Sequence, residues 1–325
     1  MASVRRFSRF YTRRMGALAA DFLGVGATLG EARLLFEIAQ QEQPGGDRPA
    51  AATVGGATTA SGLREALGLD PGQLSRMLRA LQEKGWIVRQ AVAGDRRALH
   101  IALTAEGQRV YRRLDRRQHA AVAGMVDRLG PSDRAELRAA LAASRALLGG
   151  GLPGPVALRP VATGDLARLA ARQSVLYAES HGWGHALETL VTETAARFLR
   201  DFKPGRDAGW IADADGLMLG SVLLTDEGGG QARLRLLYVE PLARGQGIGD
   251  RLVGCCTAFA RQAGYRSVTL WTHTVLEAAR RLYARHGFVL KSEECHEAFG
   301  VPVQGETWLL DLSACVSKAG LVARN

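Results

Sequence analysis

The chain has 325 residues, 47% hydrophobic and 23% charged, with a formal net charge of +10. That length admits two domains with separate cores, and the composition is that of ordinary globular protein, excluding fibrous and low-complexity classes. No apolar run approaches the roughly 20 residues needed to span a bilayer, and the arginine-bearing N-terminus lacks the apolar stretch of a signal peptide, so a cytoplasmic protein without a membrane partner is expected.

Residues 4–23 read as a basic amphipathic segment. Thr28-Leu29-Gly30-Glu31 is a capping box opening a helix to about residue 42. Residues 44–60, rich in Gly, Ala and Thr, read as a long exposed loop. A short helix is predicted over 59–67, ended by a tight Gly68-Leu69 turn. Asp70-Pro71-Gly72-Gln73 opens the next helix, with Asp70 as N-cap, Pro71 at its first position and Gln73 reaching back. Gly85 closes it as a left-handed cap. Short strands at 86–90 and 98–103 flank Gly94-Asp95. Thr104 caps a long helix to residue 129, and Ser132 starts another to residue 148. The stretch 149–155, Gly-Gly-Gly-Leu-Pro-Gly-Pro, holds neither helix nor ladder and reads as a linker. Beyond it come a strand (156–160), two helices (163–178, 186–202) and three strands (210–212, 219–225, 233–239). A helix (247–262), a strand (268–271), a helix (277–286) and two strands (288–291, 307–312) follow. Residues 314–325 form a tail.

The charge is unevenly placed. Residues 1–150 hold 23 Lys and Arg against 14 Asp and Glu, whereas 151–325 hold 19 against 18. A basic first half suggests a polyanion partner, nucleic acid first. The cysteines are Cys255, Cys256, Cys295 and Cys315, with no C-x-x-C pair, which fits a reduced compartment. His181 and His185 are four apart, but glycines between them weaken a shared helix face, so no metal is expected there. That stretch, with Trp183, reads instead as an acceptor-pocket loop.

Two short helices and a hairpin make a winged helix-turn-helix. On the helix from Pro71, Leu74, Met77, Leu78 and Leu81 fall at core spacing. The opposite face carries Gln73, Ser75, Arg76 and Arg79, side-chain types suited to major-groove edges and phosphates. Asp95, Arg96 and Arg97 lie at the hairpin tip, where an arginine can enter a minor groove. Arg109, Arg112, Arg113, Arg116 and Arg117 read as a solvated or phosphate-facing surface. This half resembles the MarR family of transcription regulators through 69–78, the wing 95–97 and Leu103-Thr104-Ala105-Glu106-Gly107. The resemblance covers about residues 3–148. It implies Asp95 and Arg97 as the wing pair, and a homodimer built from the first and last helices on a double-stranded DNA operator.

In the second half, an apolar strand through Leu237, Tyr238 and Val239 meets Glu240-Pro241. The turn Arg244-Gly245-Gln246-Gly247-Ile248-Gly249 follows and leads at once into a helix. Bare amides, the positive end of a helix and an arginine then converge, which suits a pyrophosphate. This half resembles the GNAT N-acetyltransferases over about residues 156–313. Arg244–Gly249 matches their pyrophosphate loop, and 279–288 matches their later helix and strand, with Tyr283 ahead of Gly287-Phe288. The resemblance implies acetyl-CoA as co-substrate, pantetheine bonding along 237–239 where the strand splays near Pro241, and Tyr283 as acid for the departing thiolate. The base is left open among Glu240, Glu188 and His296, with water as a further proton acceptor. Trp183, His185, Glu188 and His296 are the acceptor-pocket candidates. The asparagine many relatives carry after the fifth strand is missing; Thr272-His273-Thr274 stands there.

The expected architecture is therefore two domains. A mainly α winged helix-turn-helix (1–148) is followed, after the linker 149–155, by an α/β GNAT fold with a mixed, largely antiparallel central sheet (156–313) and a tail (314–325). The expected function is a regulator that also moves an acetyl group from acetyl-CoA to an amine. Alternatives are a regulator that senses acyl-CoA without turnover, and an enzyme whose winged-helix half serves only dimerisation.

Overall fold

The computed structural model describes residues 1–42, 53–54, 57–92 and 95–313; the side chains of residues 42, 53–54, 57, 91–92 and 95–99 are not described. The chain forms two compact units, the first Met1–Arg134 and the second beginning at Ala135.

The first unit contains α1 (Ala2–Arg14), α2 (Leu29–Glu42), the short pair β1 (Thr53–Val54) and β2 (Ala57–Thr58), and α3 (Ala60–Leu67). It continues through α4 (Pro71–Glu83), the antiparallel hairpin of β3 (Ile87–Val92) and β4 (Asp95–Leu103), and α5 (Ala105–Val126). Side chains next to the starts fix the helices. Thr28 and Glu31 exchange bonds, Glu31 Oε2 accepting from the Thr28 amide at 2.8 Å and Thr28 Oγ1 from the Glu31 amide at 3.2 Å. Thr59, Asp70 and Thr104 accept from the amides of Gly62, Gln73 and Gly107. Gly68 and Gly85 end α3 and α4 at positive φ. The core gathers Leu34, Leu35, Ile38, Leu63, Leu74, Leu78, Leu81, Ile101 and Leu114, with Met77 packed at its edge.

Some boundaries differ from expectation. The first helix stops at Arg14 instead of reaching residue 23, because Gly16 turns to φ +66° and Leu23 sits in a separate short turn. None of the α1 side chains is buried. The wing strands run longer than read, and the tip residues 93–94 lie outside the described residues.

α6 (Pro131–Leu147) spans the division, and its larger part belongs to the second unit, where Arg138 Nε lies 3.6 Å from Asp215 Oδ1. Then follow β5 (Ala157–Pro160), α7 (Asp165–His181), α8 (His185–Arg200), β6 (Ala208–Ala214), β7 (Leu217–Gly228) and β8 (Gln231–Val239). The unit ends with α9 (Ile248–Gln262), β9 (Ser267–His273), α10 (Glu277–Arg285), β10 (Val289–His296) and β11 (Val303–Asp311). The seven strands form one sheet in the order β10-β11-β9-β8-β7-β6-β5. All pairs are antiparallel except β8 with β9. One face buries α9 against Leu219, Leu234, Val268 and Leu270; α7 and α8 contribute to separate clusters with Ile211, Leu223 and Tyr238, and with Trp183 and Phe299.

β10 and β11 exceed the lengths read from sequence. Lys291, Glu293 and Glu294 interrupt the apolar pattern there, and they stand exposed on an edge strand, where charge discourages further pairing. Cys255, Cys256 and Cys295 are free thiols, and Cys315 lies outside the described residues. Among the described residues no three His, Cys, Asp or Glu converge as a metal would need, and no helix is long and apolar enough to cross a membrane.

Candidate functional site

The site follows from how β8 ends. Its parallel ladder with β9 runs from Gln231↔Ser267 to Leu234↔Leu270 and stops. The two strands therefore part after Leu234, earlier than the point near Pro241 read from sequence. On the other edge, Ser221 pairs with Tyr238 and Leu223 with Arg235, so Leu236 and Leu237 together oppose Val222 as a bulge. Leu236 takes φ +48°, and its carbonyl accepts from Ser221 Oγ at 2.9 Å. A bulge releases backbone groups from the ladder at the place where the strands part.

Beyond Val239 a single turn, Pro241–Ala243, leads to the glycine loop. Gly245 and Gly247 take φ +78° and +72°, the left-handed region that a side chain resists. The backbone bonds stop at Arg244 N–H to Pro241 and resume at Arg251 N–H to Gly247. Among the described residues, the amides of 245–250 between them have no acceptor. This cradle lies at the start of α9.

Two cavities adjoin here, sharing Tyr177, Leu237, Leu276 and Ala279. The larger, about 840 Å³, is lined by Leu237–Val239, Arg244, Gly245, Gly247–Gly249, Arg281 and Arg285. Gln246 of the expected loop is not among its lining residues. Burial, and then the Arg244 guanidinium, hold His181 of its lining below the ordinary histidine range; Arg281 and Arg285 are paired with Glu277 and Asp250 of the same lining, whereas Arg244 makes no ion pair among the described residues. The fit to a pyrophosphate is good: orphan amides, a helix N-terminus and arginine converge.

The smaller cavity, about 420 Å³, is lined by Tyr177, Trp183, Trp271, His273, Tyr283 and Phe299 among others. Tyr283 is 5% exposed, and burial raises its hydroxyl pKa well above the usual value. The aromatic rings form a continuous cluster. Trp183 lies 4.7 Å from His273 and 4.8 Å from Phe299, and Trp271 lies 4.4 Å from His273. His296 accepts from the Ala298 amide at Nδ1 and meets His273, Nε2 to Nε2, at 3.1 Å. Burial, then His296, pushes His273 down to about 4.

The expected acceptor residues separate. Trp183 lines the smaller cavity, and His296 joins its ring cluster. His185 and Glu188 instead face each other at 3.4 Å on the exposed surface of α8, and line neither cavity. Glu240 is 6% exposed. Arg172 grips it with two bonds, at 2.6 and 3.0 Å, and Tyr238 donates its hydroxyl to the same carboxylate. It too is absent from both linings. Sequence reading missed Arg172, Tyr177, Trp271, His273 and Phe299. The break with the family at Thr272-His273-Thr274 was the available signal for His273; the rest are joined only by the fold.

On the first unit, Gln73, Ser75, Arg76 and Arg79 stand exposed on α4 opposite its buried Leu74, Leu78 and Leu81. The β4 backbone carries Asp95, Arg96 and Arg97 at the hairpin's end, but their side chains, and hence the expected wing pair, lie outside the described ones.

Comparison with known proteins agrees with both halves. Residues 205–290 match the acetyltransferase (GNAT) domain model, and residues 24–98 match the MarR family model. N-acetyltransferase 8F1 of Rattus norvegicus is 31% identical over 111 residues, 33% of this chain and 50% of that protein. The match thus spans about half of that curated relative's length. Among solved structures, a ribosomal-protein-alanine N-acetyltransferase from Brucella melitensis is 19% identical, covering 48% of this chain and 99% of its own, with a TM-score of 0.41. A putative acetyltransferase from Salmonella typhimurium, solved with acetyl-CoA, is 18% identical over 49% of this chain and 95% of its own, with a TM-score of 0.39. The chain joins a MarR-family domain, matched over 24–98, to a GNAT acetyltransferase domain, matched over 205–290.

Proposed function

We propose that the second domain transfers an acetyl group from acetyl-CoA to an amine, and that the first binds a double-stranded DNA operator as part of a homodimer. The observation that carries the enzymatic reading is the adjoining of the two cavities at the parted end of β8. One offers a phosphate cradle and the other a buried tyrosine.

Acetyl-CoA supplies the thioester carbonyl. The amides of 245–250 and Arg244 hold its pyrophosphate, and the free edge along 237–239 aligns the pantetheine like an added strand. Backbone N–H groups released by the bulge are suited to a developing oxyanion. As the amine's C–N bond forms and the C–S bond breaks, Tyr283 gives its proton to the thiolate. Its raised pKa keeps that proton in place until then.

The histidine pair offers no ready base when neutral. His296 Nδ1 accepts from Ala298, so Nε2 carries the proton and points it at His273 Nε2. His273 then presents its Nδ1–H. Glu240 is engaged by Arg172 and Tyr238, and we give it a positioning part, tying the end of β8 to α7. Of the acceptors read from sequence, water is then the one left to take the amine's proton.

The homodimer reading is supported by α1, which leaves Val4, Phe7, Phe10 and Tyr11 exposed along a helix without a buried face. The DNA reading is supported by the exposed polar face of α4. Tyr283→Phe tests the enzymatic reading. Free-thiol release from acetyl-CoA should fall about 100-fold while acetyl-CoA binding by calorimetry persists. Unchanged turnover removes the acid, and binding without any turnover in the wild type leaves a sensor.

A further inference from the structure

The smaller cavity has a chemical character of its own. Its floor is one face of the sheet, to which Trp271 and His273 contribute from β9 and Arg233 and Arg235 from β8. Trp271 is 39% exposed, although it lines a concave site, so part of its indole is left uncovered. Across from it stands Phe299, 6.3 Å away between centroids at 52°. Trp183 and His273 close the wall. Trp183, His273 and Phe299 already pack on one another with centroids 4.7–5.3 Å apart, so an incoming flat ring meets the exposed part of Trp271 and the rim of that cluster. At about 420 Å³, the space lies within the range of small-molecule sites.

The polar groups are equally particular. Arg233 lines the cavity and reaches across to Thr269 Oγ1 at 3.4 Å; among the described residues it makes no ion pair. Its neighbour Arg235 also lines the cavity but is held by Glu227 at 2.9 Å. Glu227 feels the charge of Arg233 but is bonded to Arg235, and a guanidinium not bonded to a carboxylate among the described residues is suited to an incoming one, which it can grip with two parallel bonds. His273 stays neutral at physiological pH and Glu294, on the edge strand β10, adds a carboxylate to the lining, so the side of the cavity away from Arg233 favours an incoming ammonium group. The inner end of the cavity is lined by Leu237 and Tyr283, where the thioester would lie.

We propose that the acceptor is an aromatic amino acid: its ring lies on the exposed part of Trp271, its carboxylate pairs with Arg233, and its α-amine faces the thioester. This inference rests on the acetyltransferase reading above. The ammonium group gives one proton to water, and its nitrogen attacks the carbonyl carbon. The C–S bond breaks, the thiolate takes the Tyr283 proton, and the nitrogen's surplus proton restores the tyrosine. The products are the N-acetyl amino acid and CoA thiol.

The test measures kcat/KM by thiol release for L-tryptophan and L-phenylalanine, for tryptamine, which lacks the carboxylate, and for L-alanine, which lacks the ring. Both aromatic amino acids should exceed tryptamine and alanine, and Arg233→Gln should shrink the preference for tryptophan over tryptamine about 10- to 100-fold. Trp271→Ala should shrink the preference for tryptophan over alanine. Equal rates for tryptophan and tryptamine, or a preference for aliphatic or polycationic amines, overturn the acceptor assignment while the enzymatic reading stands. If no amine is turned over, binding of L-tryptophan to the full chain with CoA, followed by calorimetry, decides. Absence of binding overturns the acceptor assignment, and failure to bind acetyl-CoA itself overturns the enzymatic reading.

Discussion

His273 shows how burial sets a charge state and what that implies for stability. It is 4% exposed among aromatic rings, and its pKa falls from 6.5 to about 4, chiefly through desolvation, then through His296; Glu306 acts the other way. Above pH 6.5 both folded and unfolded chains hold it neutral, and it contributes nothing to the pH dependence. Between pH 6.5 and 4 the unfolded chain takes up a proton that the folded chain refuses, so stability falls with pH. A drop of that size corresponds to roughly 3 kcal/mol once pH has passed below 4. Other groups titrate in the same range, so the comparison must be with His273→Gln. We expect the wild-type melting temperature to fall more steeply from pH 6.5 to 4 than that of the variant. Parallel curves would refute the assignment. Glu240 is a buried carboxylate bonded to Arg172 and Tyr238. The gripping guanidinium, through its bond to Glu240, is raised further above its ordinary pKa.

At the scale of elements, α5 presses through a glycine on the turn that leads into the wing strand. A Cβ on Gly107 would stand 1.9 Å from the Trp86 carbonyl oxygen, which is backbone and has little room to yield. Gly107→Ala should therefore lower stability by about 1–3 kcal/mol, read as a shifted denaturation midpoint at unchanged slope; an unchanged midpoint would show that the helix simply shifts. The helix starts were legible because their bonds join near neighbours: Thr28 with Glu31, Thr59 with Gly62, Asp70 with Gln73, Thr104 with Gly107. The glycine loop was legible for the same reason, since amides, turn and helix start lie within a few residues. What brings Arg172 to Glu240, 68 positions on, or His273 to His296, 23 positions on, is strand order and register. Periodicity carries no record of either. The parting of β8 from β9 is likewise a matter of where their one ladder ends, and sequence put it too late by several residues.

At the scale of the molecule, the charge asymmetry acquires a surface. Arg76 and Arg79 stand exposed on α4 without ion pairs among the described residues, beside Gln73 and Ser75. Each arginine that neutralises a phosphate releases counterions, so binding weakens with salt, and removing one such contact lowers the slope of log affinity against log salt by about 1. A base-reading arginine instead costs about 1–3 kcal/mol on its own operator and relaxes the preference there. Arg76→Ala and Arg79→Ala, measured on operator and unrelated duplex across a salt series, should each fall into one of these two patterns. Affinity and slope unchanged in both variants would remove α4 as the reading element. The same titrations with acetyl-CoA present test whether the two domains communicate. A ligand that changes DNA affinity by some factor must have its own affinity changed by DNA by that same factor. We expect operator and acetyl-CoA to shift each other's binding equally; if acetyl-CoA leaves operator affinity untouched at saturation, the two domains share a chain without sharing an equilibrium.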